Sequence, residues 1–250
     1  RFEKPIVQEE DQTAVRRLNQ LIGFFILLLM KVDVLKELPP KTENVYRIEL
    51  EEEQRKLYLA AVVDAREKLR AAKPEDKMAV FAVLMRLREI CCDPRLIADN
   101  WTGGSAKLDA CIELVTSAVE SGHRILLFSQ FTSMLELLAK RLDAEGVSHF
   151  TLQGSTPKPV RAELVRRFNG GEASVFLISL RAGGTGLNLT AADIVIHYDP
   201  WWNVAAQNQA TDRAYRIGQK NPVQVYTLIA QDTIEETIVE LQQAKQSLAD

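Results

Sequence analysis

The sequence predicts an α/β protein built on a parallel sheet sandwiched by helices. Three observations carry that expectation. Short runs such as Ile125-Leu126-Leu127-Phe128 and Val175-Phe176-Leu177-Ile178 are apolar at every position. Stretches with apolar residues at helical spacing separate these runs, as at Leu108, Cys111, Ile112, Val115 and Val119. Each apolar run is followed by a short loop of glycine, hydroxyl and amide residues. Strands that are continuously apolar are buried on both faces, and strands alternating with helices form parallel sheets.

The two parts of the chain read differently. Residues 1–100 look mostly helical. Pro39-Pro40 breaks the chain, and Asn44-Val45-Tyr46-Arg47-Ile48-Glu49-Leu50 alternates apolar residues at 46, 48 and 50, a strand signal. Residues 51–69 and 77–90 read as helices joined by a charged loop around Lys73-Pro74-Glu75-Asp76. Trp101-Thr102-Gly103-Gly104-Ser105 is a loop and marks the candidate boundary. Beyond it, strands are expected at 125–128, 150–153, 175–179, 194–198 and 223–229. Helices are expected around 108–119, at 134–142, 160–168 and 205–215, and over a last segment that opens with Thr233 and Glu236 in capping-box spacing.

Composition narrows the class. The 250 residues carry 31 lysines and arginines against 34 aspartates and glutamates, a net charge of −3, with 46% hydrophobic residues. That balance excludes a disordered tail. Three cysteines exclude a disulfide framework and suit a reducing compartment. The longest apolar run, residues 21–30, is too short for a bilayer, which takes about 20 residues as a helix. No membrane partner is expected. Cys91, Cys92 and Cys111 read as buried structure, and His123, His149 and His197 lack zinc spacing, so no metal site is expected in the chain.

On a parallel sheet, ligands bind beyond the carboxyl ends of the strands. Those loops read Ser129-Gln130-Phe131-Thr132, Gln153-Gly154-Ser155-Thr156-Pro157, Leu180-Arg181-Ala182-Gly183-Gly184-Thr185-Gly186-Leu187-Asn188 and Asp199-Pro200-Trp201-Trp202-Asn203. Backbone N–H groups and small donors of this kind suit anionic oxygens. Arg213 and Arg216 are three apart, the spacing of one helical face, with Asp212 as a nearby counter-charge. Two adjacent guanidiniums repel unless an anion lies between them, and their planar forks suit phosphate. Two absences also matter. The sequence has no Gly-x-x-x-x-Gly-Lys-Ser/Thr phosphate loop and no Asp-Glu pair after an apolar strand to hold magnesium. A nucleoside triphosphate would therefore find only half of its site here.

These residues resemble the second motor lobe of the Swi/Snf-related ATPases, double-stranded-DNA translocases of helicase superfamily 2. The most specific match is Ser179-Leu-Arg-Ala-Gly-Gly-Thr-Gly-Leu-Asn-Leu-Thr190, His197-Tyr-Asp-Pro-Trp-Trp-Asn203 and the segment 209–219. Leu126-Leu-Phe-Ser-Gln-Phe131, Leu152-Gln-Gly-Ser-Thr-Pro157 and Arg166-Arg-Phe-Asn169 agree. So do Leu38-Pro-Pro-Lys-Thr-Glu43, Gln54-Arg-Lys-Leu-Tyr58 and Leu87-Arg-Glu-Ile-Cys91 in the less specific helical half.

The resemblance implies a RecA-like lobe at residues 105–250, a linker and helical protrusion at 39–104, and the helical tail of a preceding lobe at 1–38. It implies ATP with Mg2+, the phosphate loop and magnesium-holding acid lying in that preceding lobe. Arg216 and Arg213 would face the γ-phosphate, with Arg216 as arginine finger. Gln209 would order the site, and Gly184 and Gly186 would let backbone approach nucleotide or DNA. Ser129, Gln130, Gly154, Ser155, Thr185 and Trp202 would grip duplex DNA, with a protein on that DNA as a further partner. The setting would be a bacterial nucleoid or a eukaryotic nucleus. Departures from the family pattern are Phe24, Leu28 and Leu29 where it has a proline and two arginines that bridge the lobes, Val204 for a proline, Tyr215 for a histidine, and Cys92-Asp93 for Asn-His. Two other functions stay open at this point: a strand-separating helicase, and a non-catalytic DNA- or protein-binding module.

Overall fold

The computed structural model describes residues 38–71, 77–183 and 186–247. Their six strands are β1 (Lys41–Ile48), β2 (Ile125–Ser129), β3 (His149–Leu152), β4 (Val175–Ser179), β5 (Ile194–His197) and β6 (Val223–Ala230). They form one sheet in the order β1-β6-β5-β2-β4-β3, and every neighbouring pair is parallel. The apolar runs therefore make the parallel α/β sheet that their composition predicts.

Helices α1 (Glu52–Ala71), α2 (Lys77–Cys92) and α3 (Ala106–Glu120) lie between β1 and β2. A single 3-10 turn at Pro94–Leu96, capped by the Asp93 carboxylate, separates α2 from α3. Then α4 (Thr132–Ala144) joins β2 to β3, and α5 (Lys158–Asn169) joins β3 to β4. The short α6 (Leu180–Gly183) follows β4, α7 (Val204–Thr211) joins β5 to β6, and α8 (Ile234–Ser247) ends the described chain.

The two-residue pleat sorts the sheet's side chains between two cores. Ile125 and Leu127 face α3 and α4, where Leu108, Val115, Met134 and Leu138 are buried. Leu126 and Phe128 face the opposite layer with Phe168, Ala182, Leu189 and Ala210. A third cluster holds α1 to α2 through Tyr58, Ala65, Leu87, Ile90 and Cys91, and reaches Ala230 at the end of β6. Polar ties reinforce it. Gln54 Nε2 donates 2.9 Å to the Ile90 carbonyl, and the Ile234 amide donates 2.8 Å to the Tyr58 hydroxyl.

Three local outcomes differ from the sequence expectation or sharpen it. The strand signal in the stretch assigned to the linker becomes β1, which pairs along its whole length with β6, from Lys41↔Val223 to Ile48↔Ala230. It is an edge strand, and Ile48 alone of its residues is buried, so its composition is polar for a sheet member. The start of α8 is a shifted capping box: Glu235 N donates to Thr233 Oγ1, but Glu236 accepts from the Asp232 amide, one residue earlier than expected. The helix expected at 205–215 stops at Thr211, and Arg213 and Arg216 lie on successive turns beyond it. Helical spacing therefore does not relate the two arginines. The apolar run 21–30, with Phe24, Leu28 and Leu29, and the helical tail expected at 1–38 up to Glu37, lie outside the described residues.

Candidate functional site

Because all six strands are parallel, their carboxyl ends share one edge. The loops after β2 and β3 and the last residue of β4 line a cleft of about 550 Å³ there. Gln130, Gly154 and Ser155, three of the residues picked out in the sequence, line it together with Ser133, Gln153 and Ser179. Among the described residues no charged side chain lines it; hydroxyl, amide and backbone groups do, with the Phe131 ring. Arg161 braces one wall from below, donating 2.7 Å bonds to the carbonyls of Thr156 and Gly154.

Ser129 lies beneath the cleft rather than in its lining. It was expected to meet a ligand, but it is fully buried, and its hydroxyl donates 2.6 Å to Asp199 Oδ1. The physical reason is strand position: Ser129 is the last residue of β2, a central strand covered on both faces. The Gln130 amide also points to Asp199, at 3.2 Å. Asp199 in turn faces Arg88, whose Nη2 lies 3.4 Å from Oδ2. Neither Arg88 nor Asp199 is exposed to solvent. Burial pushes the Asp199 carboxyl up to about 6, against the opposing pull of Arg88 and of the Ser129 hydroxyl. Trp202 stands over this network with its ring 5.7 Å from the Arg88 guanidinium and is 39% exposed.

The arginine segment lies elsewhere, by the amino ends of β5 and β6. The Leu189 amide donates to the Arg213 carbonyl at 3.0 Å. Gln219 Nε2 donates to the carbonyls of Ala192 (2.7 Å) and Ala214 (3.1 Å), and Gln219 Oε1 accepts from the amides of Lys220 and Asn221. One buried amide thus uses all its bonding capacity to close the turn that carries both arginines. Gly218 completes the turn at φ +104°, a left-handed conformation that a side chain would strain. Arg213 is buried, and its Nε has no hydrogen-bond partner among the described residues. Burial, then the neighbouring Arg216 charge, lower its pKa, with Asp212 opposing. Arg216 is exposed and makes a 3.4 Å bond to the Leu187 carbonyl, next to Gly186. Gln209 is exposed on α7. Gly184 and Thr185 lie outside the described residues. The candidate residues therefore fall into two groups: amide and hydroxyl groups at the carboxyl edge, and an arginine pair near the amino ends.

Sequence reasoning quoted Arg88, Asp199 and Gln219 within motifs and gave them no role. A signal was available for the first: Arg88 sits inside Leu87-Arg88-Glu89-Ile90-Cys91-Cys92, a helix end otherwise mostly apolar. A charge in such a run needs a buried partner.

His197 and the cysteines are structural. His197 stacks on Phe128 at 5.6 Å, and its Nε2 bonds the Thr211 hydroxyl at 2.9 Å. Burial lowers its pKa to about 3. An unfolded chain binds a proton near pH 6.5 that the folded chain refuses, so this group's stabilisation is complete above pH 6.5 and is lost as the pH falls toward 3. By pH 5 the loss is about 2 kcal/mol. Asp199 acts in the opposite sense below pH 6, so the measurement is a comparison. Urea unfolding of His197→Gln is expected to weaken less between pH 7 and pH 5 than that of the native sequence, by about that amount. Equal pH slopes would refute the assignment. Cys91, Cys92 and Cys111 are all completely buried, and burial raises the pKa of each, that of Cys111 to about 12. A thiol reagent is expected to label none of the three until denaturant is added.

Comparison with known proteins gives the arrangement a family. The helicase conserved C-terminal domain matches residues 106–218, and the SNF2-related domain matches residues 1–96. An uncharacterized ATP-dependent helicase of Mycoplasma genitalium is 36% identical over 99% of this chain. The mouse SWI/SNF-related matrix-associated actin-dependent regulator of chromatin subfamily A member 1 is 38% identical over 94% of it. The chain spans about a quarter of the length of each, 24%. The SWI2/SNF2 ATPase core of Sulfolobus solfataricus in complex with double-stranded DNA superposes with a TM-score of 0.75 at 31% identity, covering 97% of this chain and 52% of that one. A RecA-like parallel sheet, two family domains that together take in most of the sequence, and these relatives lead to one conclusion: the chain belongs to the Swi/Snf-related ATPase family and has the form of its C-terminal motor lobe.

Proposed function

We propose that this chain is the second half of an ATP-driven motor that moves along double-stranded DNA. The observation that carries the proposal is the arginine pair. A buried Arg213 Nε without a hydrogen-bond partner among the described residues, beside a second guanidinium and with Asp212 as its nearby counter-charge, supports a role in holding an anion. The γ-phosphate of ATP supplies that anion when a preceding lobe brings it across a cleft. On this reading residues 105–250 form the lobe, 39–104 the linker and helical protrusion, with β1 tying the linker into the lobe's sheet, and 1–38 the tail of the preceding lobe.

The residues fit one half of an ATP site. Arg216 and Arg213 neutralise charge developing on the transferred phosphoryl group, Gln209 orders them, and the Gly184–Gly186 backbone comes close to the nucleotide. Bound Mg2+ offsets phosphate charge. Among the described residues no cluster of three histidine, cysteine or acidic side chains is placed to hold it. The preceding lobe is assigned that task. Gln130, Gly154, Ser155, Thr185 and Trp202 contact the DNA backbone, and Ser129 holds the loop that carries Gln130. Amide, hydroxyl and backbone donors at phosphates position a protein without reading sequence, as a translocase requires.

The test is ATP hydrolysis by a polypeptide that joins this chain to its preceding lobe, with and without duplex DNA, paired with displacement of a third strand from a triplex. Stimulation by duplex and triplex displacement without unwinding are the expected results. Unwinding of the duplex would make it a strand-separating helicase. Absence of any DNA-stimulated hydrolysis would leave a binding module.

A further inference from the structure

The helical protrusion reaches into the carboxyl edge through one side chain. Arg88, on α2, has no solvent exposure although its guanidinium carries a full charge. Its Nη1 donates 2.8 Å to Gln130 Oε1, and its Nη2 donates 2.5 Å to the Pro200 carbonyl and lies 3.4 Å from Asp199 Oδ2. The rings of Phe131 and Trp202 lie 5.8 and 5.7 Å from the guanidinium carbon. Asp199 itself holds Ser129 and the Gln130 amide. One guanidinium therefore spans the loop after β2 and the loop after β5, between which no backbone hydrogen bond runs beyond the Tyr198 amide to the Phe128 carbonyl among the described residues.

A buried arginine costs desolvation and adds little net stability compared with apolar packing of the same volume. Its fork geometry, however, fixes several acceptors at once, which a flexible side chain does not. We infer that Arg88 is a positioning residue for DNA: it sets Gln130 and Trp202 at the spacing that the duplex backbone requires. Gln130 Oε1 is occupied by Arg88, which turns its Nε2 away; that buried Nε2 has no partner among the described residues. Arg88 thus fixes the Gln130 side chain in one orientation, with the buried Nε2 as the donor left without an acceptor. Trp202 stacks over the Arg88 guanidinium and keeps 39% of its surface exposed. This inference rests on the proposed DNA contacts of Gln130 and Trp202.

The experiment uses the two-lobe polypeptide and measures ATP hydrolysis against duplex concentration. Arg88→Lys keeps the charge and loses the fork. It is expected to raise the half-saturating DNA concentration at least tenfold, while the rate at saturating DNA falls less than twofold. Asp199→Asn, which removes the charge that faces Arg88, is the second variant should Arg88→Lys fail to fold, and it is expected to shift the same parameter. Phe168→Ala, a truncation of a buried ring beside Arg124 at the opposite edge of the sheet, serves as control. If Arg88 were only structural, Arg88→Lys would behave like this control, with a lower melting temperature and an unchanged half-saturating concentration, and the inference would fall. Gln130→Ala and Trp202→Ala separate the two levels. If neither shifts the half-saturating concentration, the proposed grip is wrong. If they shift it and Arg88→Lys does not, the grip stands and the positioning role is wrong.

Discussion

Arg216→Ala is expected to lower DNA-stimulated ATP hydrolysis by about 10³–10⁵-fold in the two-lobe polypeptide, the range over which arginine fingers act. The loss belongs in kcat, because charge on the γ-phosphoryl oxygens grows only as the transition state forms. Folding supplies a control within the same variant. Arg216 is exposed, and its one side-chain bond among the described residues, 3.4 Å to the Leu187 carbonyl, is long. Its removal is expected to change unfolding stability by less than about 0.5 kcal/mol. Arg216→Lys is expected to recover little, since an ammonium offers a point charge where a planar fork is needed. Arg213→Ala tests the buried member of the pair. It too should abolish most hydrolysis, but with a stability cost, because its side chain is enclosed. Steady-state hydrolysis with saturating duplex reads both variants. A loss below tenfold for Arg216→Ala would remove the finger assignment.

Lys107→Met is expected to destabilise the fold by about 3–5 kcal/mol, the usual cost of stranding one member of a buried ion pair. Lys107 on α3 and Glu235 on α8 form a short ion pair with no solvent exposure on either side. Burial works against the Lys107 charge, but the Glu235 carboxylate opposes it, and the Lys107 pKa stays above its ordinary value. Its Nζ also lies 5.6 Å from the Tyr198 ring, and the Tyr198 hydroxyl donates 2.9 Å to the Cys92 carbonyl. Removing the lysine leaves Glu235 with only the Ala230 amide, 2.7 Å away, and a second oxygen that has no partner among the described residues. For a chain of this size each kcal/mol shifts the melting temperature by about 2–4 °C, so a fall of about 10 °C is expected in calorimetry. Neutralising both partners, Lys107→Met with Glu235→Gln, should recover much of the loss, because no unpaired charge remains. A double variant as weak as the single one would show that the cost lies in packing.

Much of this molecule was legible in the residues. The strands at 125–128 and 175–179 announce themselves because a central parallel strand is apolar on both faces. The alternation at Tyr46, Ile48 and Leu50 announced a strand too, but its place at the sheet edge beside β6 depended on a partner about 180 residues away. The spacing of Arg213 and Arg216 suggested one helical face. The chain instead leaves the helix at Thr211 and turns, and the buried Gln219 amide and Gly218 hold that turn. Ser129 looked like a ligand contact because its neighbours do contact the cleft. Its burial follows from the layer beneath it, which no local window of sequence contains.

The residues by themselves determined the alternation of strands and helices, the burial of the three cysteines, the small polar composition of the carboxyl-edge loops and the kinship with the Swi/Snf-related family. Each of these depends on side-chain type and on spacings within a few turns of chain. Only the tertiary structure decided which polar groups face each other: Arg88 with Asp199 across 111 residues, Lys107 with Glu235 across 128, and Ser129 turned inward. A buried charge is stable only opposite a specific partner, and folding alone chooses that partner, because desolvation makes every unpaired arrangement costly.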